Sequence, residues 1–587
     1  MTLYADDPLW KRILKKCIVR KPLEQLLAES NSQALKRTLG KLDLIAVGIG
    51  AIIGTGIFVL TGTAAAVHAG PSIIISFLVA GLASALAAFS YSEMASMIPV
   101  SGSAYTFTSA TMGEFMAWVI GWDLILEYLV GSATVAAGFS GYIVNFFADA
   151  FKVKLTPKTT RAPLKWNSKE NKFEVVKGSY VNIPAIFIVA LVTAILVFGI
   201  RESSTVNTII VTIKLIVIIL FIFGSIKYVN RDNYTPFVPE RDHGEYGAIG
   251  IFKGAQQVFF AYIGFDAVSC TAQECKNPQK DLPWGICISL VVCTSLYVAV
   301  SAVLTGIANY TTLNVPAPIS FALEGFANTR WLRIIIDLGA IAGLTSVILV
   351  LLMAQPRIFW SMARDGLFPR ILGRTHHRFK TPYVPTLICG TVTAVLAGFL
   401  PIDVLGDMTS VGTLLAFALT QIGVMIMRYT DPNAQRGFKV PFGPYVLPPI
   451  GAAICILLLV LSGKQPIMRL FIWLGIGIII YVVYGYRHSR INNPEKWESD
   501  PFNDPQYTLG DVESKGHDGK EYGIDDGEHS PSPGISDDSD LKGKVVVHQI
   551  PDNSHNAYSG TYYNNDNNNN NNNVAPGNMQ FPVPEKY

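Results

Sequence analysis

Residues 42–62 read LDLIAVGIGAIIGTGIFVLTG, long and apolar enough to cross a bilayer, yet Gly48, Gly50, Gly54 and Gly56 sit in the middle. Each glycine weakens a helix by roughly 1 kcal/mol relative to alanine. Four glycines within nine residues predict a helix that breaks. Within a bilayer, irregular backbone is tolerated only where protein buries it or where it lines a polar cavity. The stretch therefore predicts a binding site at mid-membrane and a transporter built around it.

The rest of the chain supports a membrane setting. Of its 587 residues, 50% are hydrophobic and only 15% are charged, and the mean hydropathy is +0.35. Soluble domains carry about 25% charged residues. About 20 apolar residues span a bilayer, and twelve segments qualify: 42–62, 71–98, 114–147, 181–200, 204–226, 248–272, 282–308, 331–355, 383–400, 405–428, 443–463 and 468–487. The first 40 residues are polar, and the first apolar segment is too long for the apolar region of a cleavable signal peptide.

An even number of spans puts both termini on one side, and basic residues concentrate in cytoplasmic loops. Lys11, Arg12, Lys15, Lys16, Arg20 and Lys21 precede span 1, and Arg357, Arg364, Arg370, Arg374 and Arg378 lie about the end of span 8. Both termini are expected in the cytoplasm. One loop runs against the rule: residues 148–180 carry eight Lys or Arg residues and fall outside. The sequons at Asn233 and Asn309 fall in outside loops and are candidate glycosylation sites.

Residues 1–41 form an N-terminal segment whose stretch Leu9 to Leu27 is basic and amphipathic. It suits either the inner membrane surface or packing beneath the bundle. From residue 495 to 587 the chain is polar, with an unbroken asparagine run from Asn567 to Asn573, and is expected to be a disordered tail. Ser530 and Ser532 precede prolines there. None of the seven cysteines falls in an outside loop, so no structural disulfide is expected. No metal-ligand spacing and no Walker A loop occur, and GIGAIIG has the wrong spacing for a dinucleotide loop. No metal, cofactor or nucleic-acid partner is expected, and no acid–base cluster marks an enzyme.

Span 6 contains a second interruption, AIGIFKGAQQVFFAYIGFDAVSC, with Gly264 and Asp266 at its centre. Interrupted segments at matching positions of two halves point to a transporter site at a repeat interface. Residues 42–226 and 248–428 would be two five-span inverted repeats, and 443–487 an addition. Close packing through small residues is the other reading of these glycines. A broken helix offers free N–H groups at one half and free C=O groups at the other. Together these suit the carboxylate and ammonium of an amino acid, with Thr55 adding a hydroxyl.

Ionisable groups within spans mark substrate and ion pathways. Lys214 lies near the middle of VNTIIVTIKLIVIILFIFG. It is a candidate proton carrier, or else a lysine bonded permanently to carbonyls at a helix break. Glu127 lies mid-span 3, with Asp123 one turn earlier on the same face; it would meet a cationic side chain or a structural partner. Asp266 could cap the second half of span 6. Glu93, near the inner end of span 2, reads as gating or structural. Phe259, Phe260 and Tyr262 lie beside the break and could wall the pocket.

Four stretches also resemble the cationic amino acid transporter family of the amino acid–polyamine–organocation superfamily. They are LKRTLGKLDLIAVGIGAIIGTGIFVLTG, IPVSGSAYTFTSATMGEFMAWVIGWDLILEYLVG, FFAYIGFDAVSCTAQECKNPQKDLPWGI and QPRIFWSMARDGLFP. The resemblance runs from about residue 35 to 487. It implies an all-α, LeuT-type 5+5 fold and alternating-access transport of L-amino acids, above all arginine, lysine and ornithine. By the family pattern Ile52, Ile53, Gly54, Thr55 and Gly56 bind the carboxylate side, and Phe260, Ala261 and Ile263 offer carbonyls to the amine. Glu127 and Asp266 match acidic positions near the side-chain pocket. Lys214 matches the lysine that takes the place of a sodium ion, which implies proton coupling or exchange. Twelve spans resemble bacterial members, some of which carry neutral amino acids. The loop 148–180 has no cysteine, so no disulfide-linked heavy chain is expected. The expected location is the plasma membrane, with a vacuolar or lysosomal membrane as the alternative.

Overall fold

A computed structural model describes residues 19–23, 26, 39–100, 102–167, 172–198, 204–241, 245–272, 275–374, 376, 381–491 and 493. Most of the Leu9–Leu27 stretch, Ser530, Ser532 and the asparagine-rich tail lie outside the described residues.

All twelve expected segments fall on helices. Span 1 is Lys41–Ile52, resumed as Gly56–Leu60, Thr61–Ala64 and Ala65–Ala69; span 2 is Ile73–Met97, and span 3 is Glu114–Phe151. Spans 4 and 5 are Ile183–Val197 and Ser204–Ser225. Span 6 is Gly247–Val258, Phe259–Tyr262 and Phe265–Cys270; spans 7 and 8 are Pro278–Ile307 and Arg330–Arg364. Spans 9, 10 and 11 are Tyr383–Phe399, Ile402–Thr430 and Leu447–Leu461, and span 12 is Lys464–Ile480, continued to His488.

Among the described residues, seven helical stretches are long and apolar enough to cross a membrane, and spans 4, 9 and 11 are shorter apolar helices. The first half of span 1 and the whole of span 6 fall short because both are interrupted. Beyond the expectation, span 1 continues past residue 62 to Ala69. There Gly70, at φ +59°, makes a turn that L side chains disfavour, and Pro71 opens span 2. The loop between spans 3 and 4 also contains a small antiparallel hairpin, Leu164–Asn167 with Lys172–Val175.

Span 3 is the central post. It packs along spans 8 and 10, while span 7 packs against spans 1 and 2. Its midsection, Ile120 to Ala136, is entirely buried. The outer spans show the reverse: the apolar side chains of Phe187 on span 4, Phe223 on span 5 and Ile479 and Val483 on span 12 are 62%, 72%, 64% and 62% exposed. A rim of exposed Ile, Val and Phe around a core containing carboxylates is stable only with lipid as the surrounding solvent.

Candidate functional site

The span-1 helix stops at Ile53, whose extended backbone (φ −74°, ψ 100°) leaves the helical ladder. The next intrahelical bond runs from the Phe58 N–H to the Gly54 carbonyl. The amides of the intervening turn therefore form the open N-terminus of the second half. That half begins as a π-helical segment, Gly56–Leu60, and the Thr61 hydroxyl bonds the Gly56 and Ile57 carbonyls at 3.1 and 3.0 Å. Span 6 breaks differently. A 3-10 turn over Phe259–Tyr262 ends in extended Ile263, and Gly264 follows at φ +112°.

The glycines bring the two breaks together. A Cβ on Gly56 would lie 2.2 Å from the Ala261 Cα, so only glycine lets span 1 cross span 6 there. Gly264 meets Ala51 in the same way, with 2.7 Å from a Cβ to the Ala51 carbonyl oxygen. Gly54 faces Val347 on span 8. Gly48 and Gly50 remain helical, and Gly48 receives Ser289 of span 7. Of the four glycines at the middle of the opening stretch, Gly48 thus serves helix packing, Gly50 stays in the helix, and Gly54 and Gly56 lie at the break.

Each broken end finds a side chain. Lys214 is fully buried on span 5, and its ammonium donates to the Gly50 carbonyl at 2.7 Å and the Ile53 carbonyl at 3.2 Å. These are the last carbonyls of the first half of span 1, which the break deprives of helical partners. The ammonium occupies the position of a bound cation at a helix C-terminus. Gly343 on span 8 makes room for the lysine stem.

Tyr297, on span 7, places its hydroxyl 2.8 Å from the Ile52 carbonyl and 2.9 Å from the Ala261 carbonyl. Its single proton serves either acceptor, and the side chain ties the two breaks across the site. Nothing in the sequence marks this residue: SLYVAV is an ordinary stretch of an apolar helix. Tyr142 of span 3 adds a third tie, donating to the Phe58 carbonyl at 2.6 Å.

The acidic residues divide. Asp266 accepts from the Gly264 N–H at 3.2 Å and from the Tyr128 hydroxyl, so it fixes the start of the second half of span 6. Glu127, the neighbour of Tyr128, is fully buried, and neither carboxylate oxygen has a hydrogen-bond partner of good geometry. Beside it lies Thr413 of span 10, whose hydroxyl is committed to the Thr409 carbonyl. Asp123 is likewise fully buried and unpartnered, pressed against Gly412 of span 10. The Thr55 hydroxyl is buried without a partner and faces Gly138 of span 3. Buried polar groups left unbonded are costly and concentrate at functional sites.

The remaining residues separate into site and scaffold. In span 6 the Phe260 carbonyl accepts the Ile263 N–H at 3.2 Å and the Ala261 carbonyl accepts Tyr297, so two of the three carbonyls there have partners within the fold. Phe259 packs against Phe417, and Tyr262 packs against Tyr297 while donating to the Phe77 carbonyl. These two rings belong to the packing. Glu93 accepts from Nε and Nη2 of Arg428, at 2.6 and 2.8 Å, and from the Val440 N–H, and it forms an ion pair with Arg436 at 3.2 Å. It ties span 2 to the end of span 10. On the same face, which carries the start of span 1 and the end of span 12, Lys21 pairs with Asp365 at 2.9 Å. On the opposite face Glu245 joins His68 and Lys253 at 2.5 and 2.8 Å.

Of the two sequons, Asn309 is exposed, whereas the Asn233 amide is partly buried and donates to the Gly306 carbonyl at 2.8 Å. Among the described residues, no group of three His, Cys, Asp or Glu side chains is placed to hold a metal ion.

Comparison with known proteins gives this geometry a family. A family model described as amino acid permease matches residues 39–486. The branched-chain amino acid permease BcaP of Bacillus subtilis (strain 168) is 46% identical over 477 residues, which cover 81% of this chain and 98% of that protein. The methylthioribose transporter of the same organism is 45% identical, with the same coverage of 81% and 98%. The vacuolar cationic amino acid transporter 4 of Arabidopsis thaliana is 37% identical over 410 residues, 70% of this chain and 66% of that protein. Relatives matched almost end to end are transporters rather than enzymes, and the matched region contains both interrupted helices. The chain belongs to the amino acid permease family, within the amino acid–polyamine–organocation superfamily of multi-pass membrane transporters.

Proposed function

We propose that this permease carries L-amino acids with a cationic side chain by alternating access, as a secondary active transporter. The amides of Gly54, Thr55 and Gly56, with Ile52 and Ile53 at the edge, bind the substrate carboxylate. The carbonyls of Phe260, Ala261 and Ile263 receive its ammonium group. Glu127 meets the side chain, and Asp266 holds the floor of the pocket through Tyr128. The observation that carries the cationic reading is the fully buried Glu127 carboxylate with no hydrogen-bond partner. A positively charged side chain would satisfy it.

Lys214 has the coupling role: its bonds to Gly50 and Ile53 exist only while its amine faces the break. Loss or gain of a proton there alters the strength of those bonds, and with it the link between span 5 and span 1. Residues 42–226 and 248–428 act as the two inverted repeats that move about the site. The face bearing Lys21 and Arg428 is cytoplasmic by its basic content, the plasma membrane is the expected location, and Asn309 is the better glycosylation acceptor.

A second reading, transport of neutral amino acids, draws on a different observation. Asp266 is already bonded within the fold, and the relative at 46% identity is named for branched-chain substrates. Uptake of labelled arginine and labelled leucine into proteoliposomes separates the readings. Accumulation of arginine above leucine, increased by an inward proton gradient, supports the first. Leucine above arginine transfers support to the second, and uptake of neither contradicts both.

A further inference from the structure

Span 8 carries a buried carboxyl group apart from the residues assigned to the substrate. Asp337 lies about two turns from the start of the helix at Arg330, toward the face opposite Lys21. Its side chain is fully buried, and among the described residues neither oxygen has a hydrogen-bond partner of good geometry. The Ser320 hydroxyl lies beside it, from the short helix Pro318–Ala322 in the loop before span 8. Tyr142 of span 3 is within electrostatic range. The charged groups that face it are Arg333, one turn outward on its own helix, and Asp149 of span 3, and these two pair with each other at 3.0 Å. Span 5, which packs along the same stretch, presents Val217 there.

The neighbours of Asp337 also hold span 1. The Tyr142 hydroxyl donates to the Phe58 carbonyl, in the second half of that span, at 2.6 Å. Pro318, two residues before Ser320, packs on the same half, where a Cβ on Gly62 would lie 2.5 Å from it. Asp337 therefore sits where two clamps on the second half of the broken helix converge. A buried carboxyl group meets its bonding needs in one of two ways. As the neutral acid it leaves both hydroxyls to other acceptors. As the carboxylate it accepts from them, and such charge-assisted bonds are about twice as strong as neutral ones. Tyr142 has one proton to give, so a bond to Asp337 means releasing Phe58.

We propose that Asp337 is a proton-binding site, loaded from the water on the face opposite Lys21, whose occupancy decides whether Tyr142 holds the second half of span 1. On loading, an acid in the water transfers its proton to a carboxylate oxygen, an O–H bond forms there, and Tyr142 donates to Phe58, as in this structure. On release the proton returns to water, and the carboxylate takes the hydrogens of Tyr142 and Ser320, which ties the loop helix to span 8. The inference rests on the transporter reading only for what the clamp controls; the proton site itself needs no substrate.

The test is an infrared titration of the purified full chain in detergent, from about pH 4 to pH 9, read at the carbonyl band of protonated carboxyl groups. It is paired with initial uptake of labelled arginine or leucine by proteoliposomes over the same range of bath pH. The parent should lose carboxyl intensity as pH rises, and Asp337→Asn should lack one carboxyl's share of that change. Tyr142→Phe should keep the carboxyl change but lose the tyrosine band shift that accompanies it in the parent. The variation of uptake with pH should shrink by at least about fivefold in both variants, the lower end of coupling between linked sites, and Asp337→Glu should restore it. A purely structural Asp337 would lower uptake equally at every pH and leave the shape of the profile unchanged. If Asp337→Asn does not fold, Tyr142→Phe carries the test through its pH profile and its tyrosine band. Identical infrared titrations of the parent and Asp337→Asn, or an unaltered pH profile in Tyr142→Phe, overturn the proposal. If neither amino acid is taken up, the transporter reading fails, and the infrared titration alone decides the proton site.

Discussion

Tyr297 lies 2.8 Å from the Ile52 carbonyl, and through the same hydroxyl it reaches Ala261 at 2.9 Å. One side chain on an unbroken helix therefore spans both broken ones. The two breaks are not independent interruptions; they form one unit, held at its centre by a single proton. Removing that proton should matter more than the mild chemistry of the change suggests. Tyr297→Phe is expected to destabilise the fold by about 1–3 kcal/mol, the cost of leaving buried acceptors unsatisfied. It should lower the maximal uptake rate more than substrate affinity. A thermal melt and initial-rate uptake measure both effects; a variant indistinguishable from the parent in each would remove Tyr297 from this role.

Gly56→Ala tests the crossing itself. Its Cβ would collide with the Ala261 backbone, which has no flexible end to give way. Folded yield, measured by monodisperse elution after extraction, should fall sharply, and uptake should be lost. Gly475 on span 12 is the contrast, because a Cβ there meets nothing within 4 Å. Gly475→Ala should leave yield and uptake intact, since alanine favours a helix by about 1 kcal/mol.

Lys214→Met keeps an apolar stem of similar length but removes the donor to Gly50 and Ile53. Proton-driven accumulation is expected to be abolished, while equilibrium binding of substrate remains measurable. Accumulation comparable to the parent's would take Lys214 out of the coupling role and leave it a structural partner of the break.

Glu127→Gln keeps the shape of the side chain and removes its ability to carry charge. Arginine and lysine uptake should fall by at least tenfold, the effect of about 1.4 kcal/mol, and alanine uptake much less. Equal losses for all three would make Glu127 a structural residue.

How far the sequence carried can be seen at particular residues. The break in span 1 was legible because glycine density is a local property, and the break in span 6 because Gly264 and Asp266 interrupt an apolar run. Lys214 stood out because a charge in such a run is rare. The division of labour among the glycines was not legible: Gly48 packs against Ser289 of span 7, more than two hundred residues away. Tyr297 was invisible for the same reason, since its partners lie on two other helices. Phe259 and Tyr262 were legible as aromatic but not as packing, because their partners, Phe417 and Tyr297, come from spans 10 and 7. Asp266 illustrates the limit of motif reading. Its position was clear, but only the fold shows that Tyr128 and Gly264 already bond its carboxylate.

The central claim is that the two joined breaks recognise the α-carboxylate and α-ammonium groups, leaving the side chain to be chosen elsewhere. Competition between labelled lysine and unlabelled cadaverine, which keeps both terminal amines but lacks the carboxylate, tests this directly. Unlabelled lysine should compete fully in proteoliposomes, and cadaverine should need roughly 100-fold higher concentration, about 2.7 kcal/mol for the lost carboxylate contacts. Cadaverine competing as well as lysine would show that the carboxylate is not recognised, and would contradict the assignment of the glycine break as its binding site.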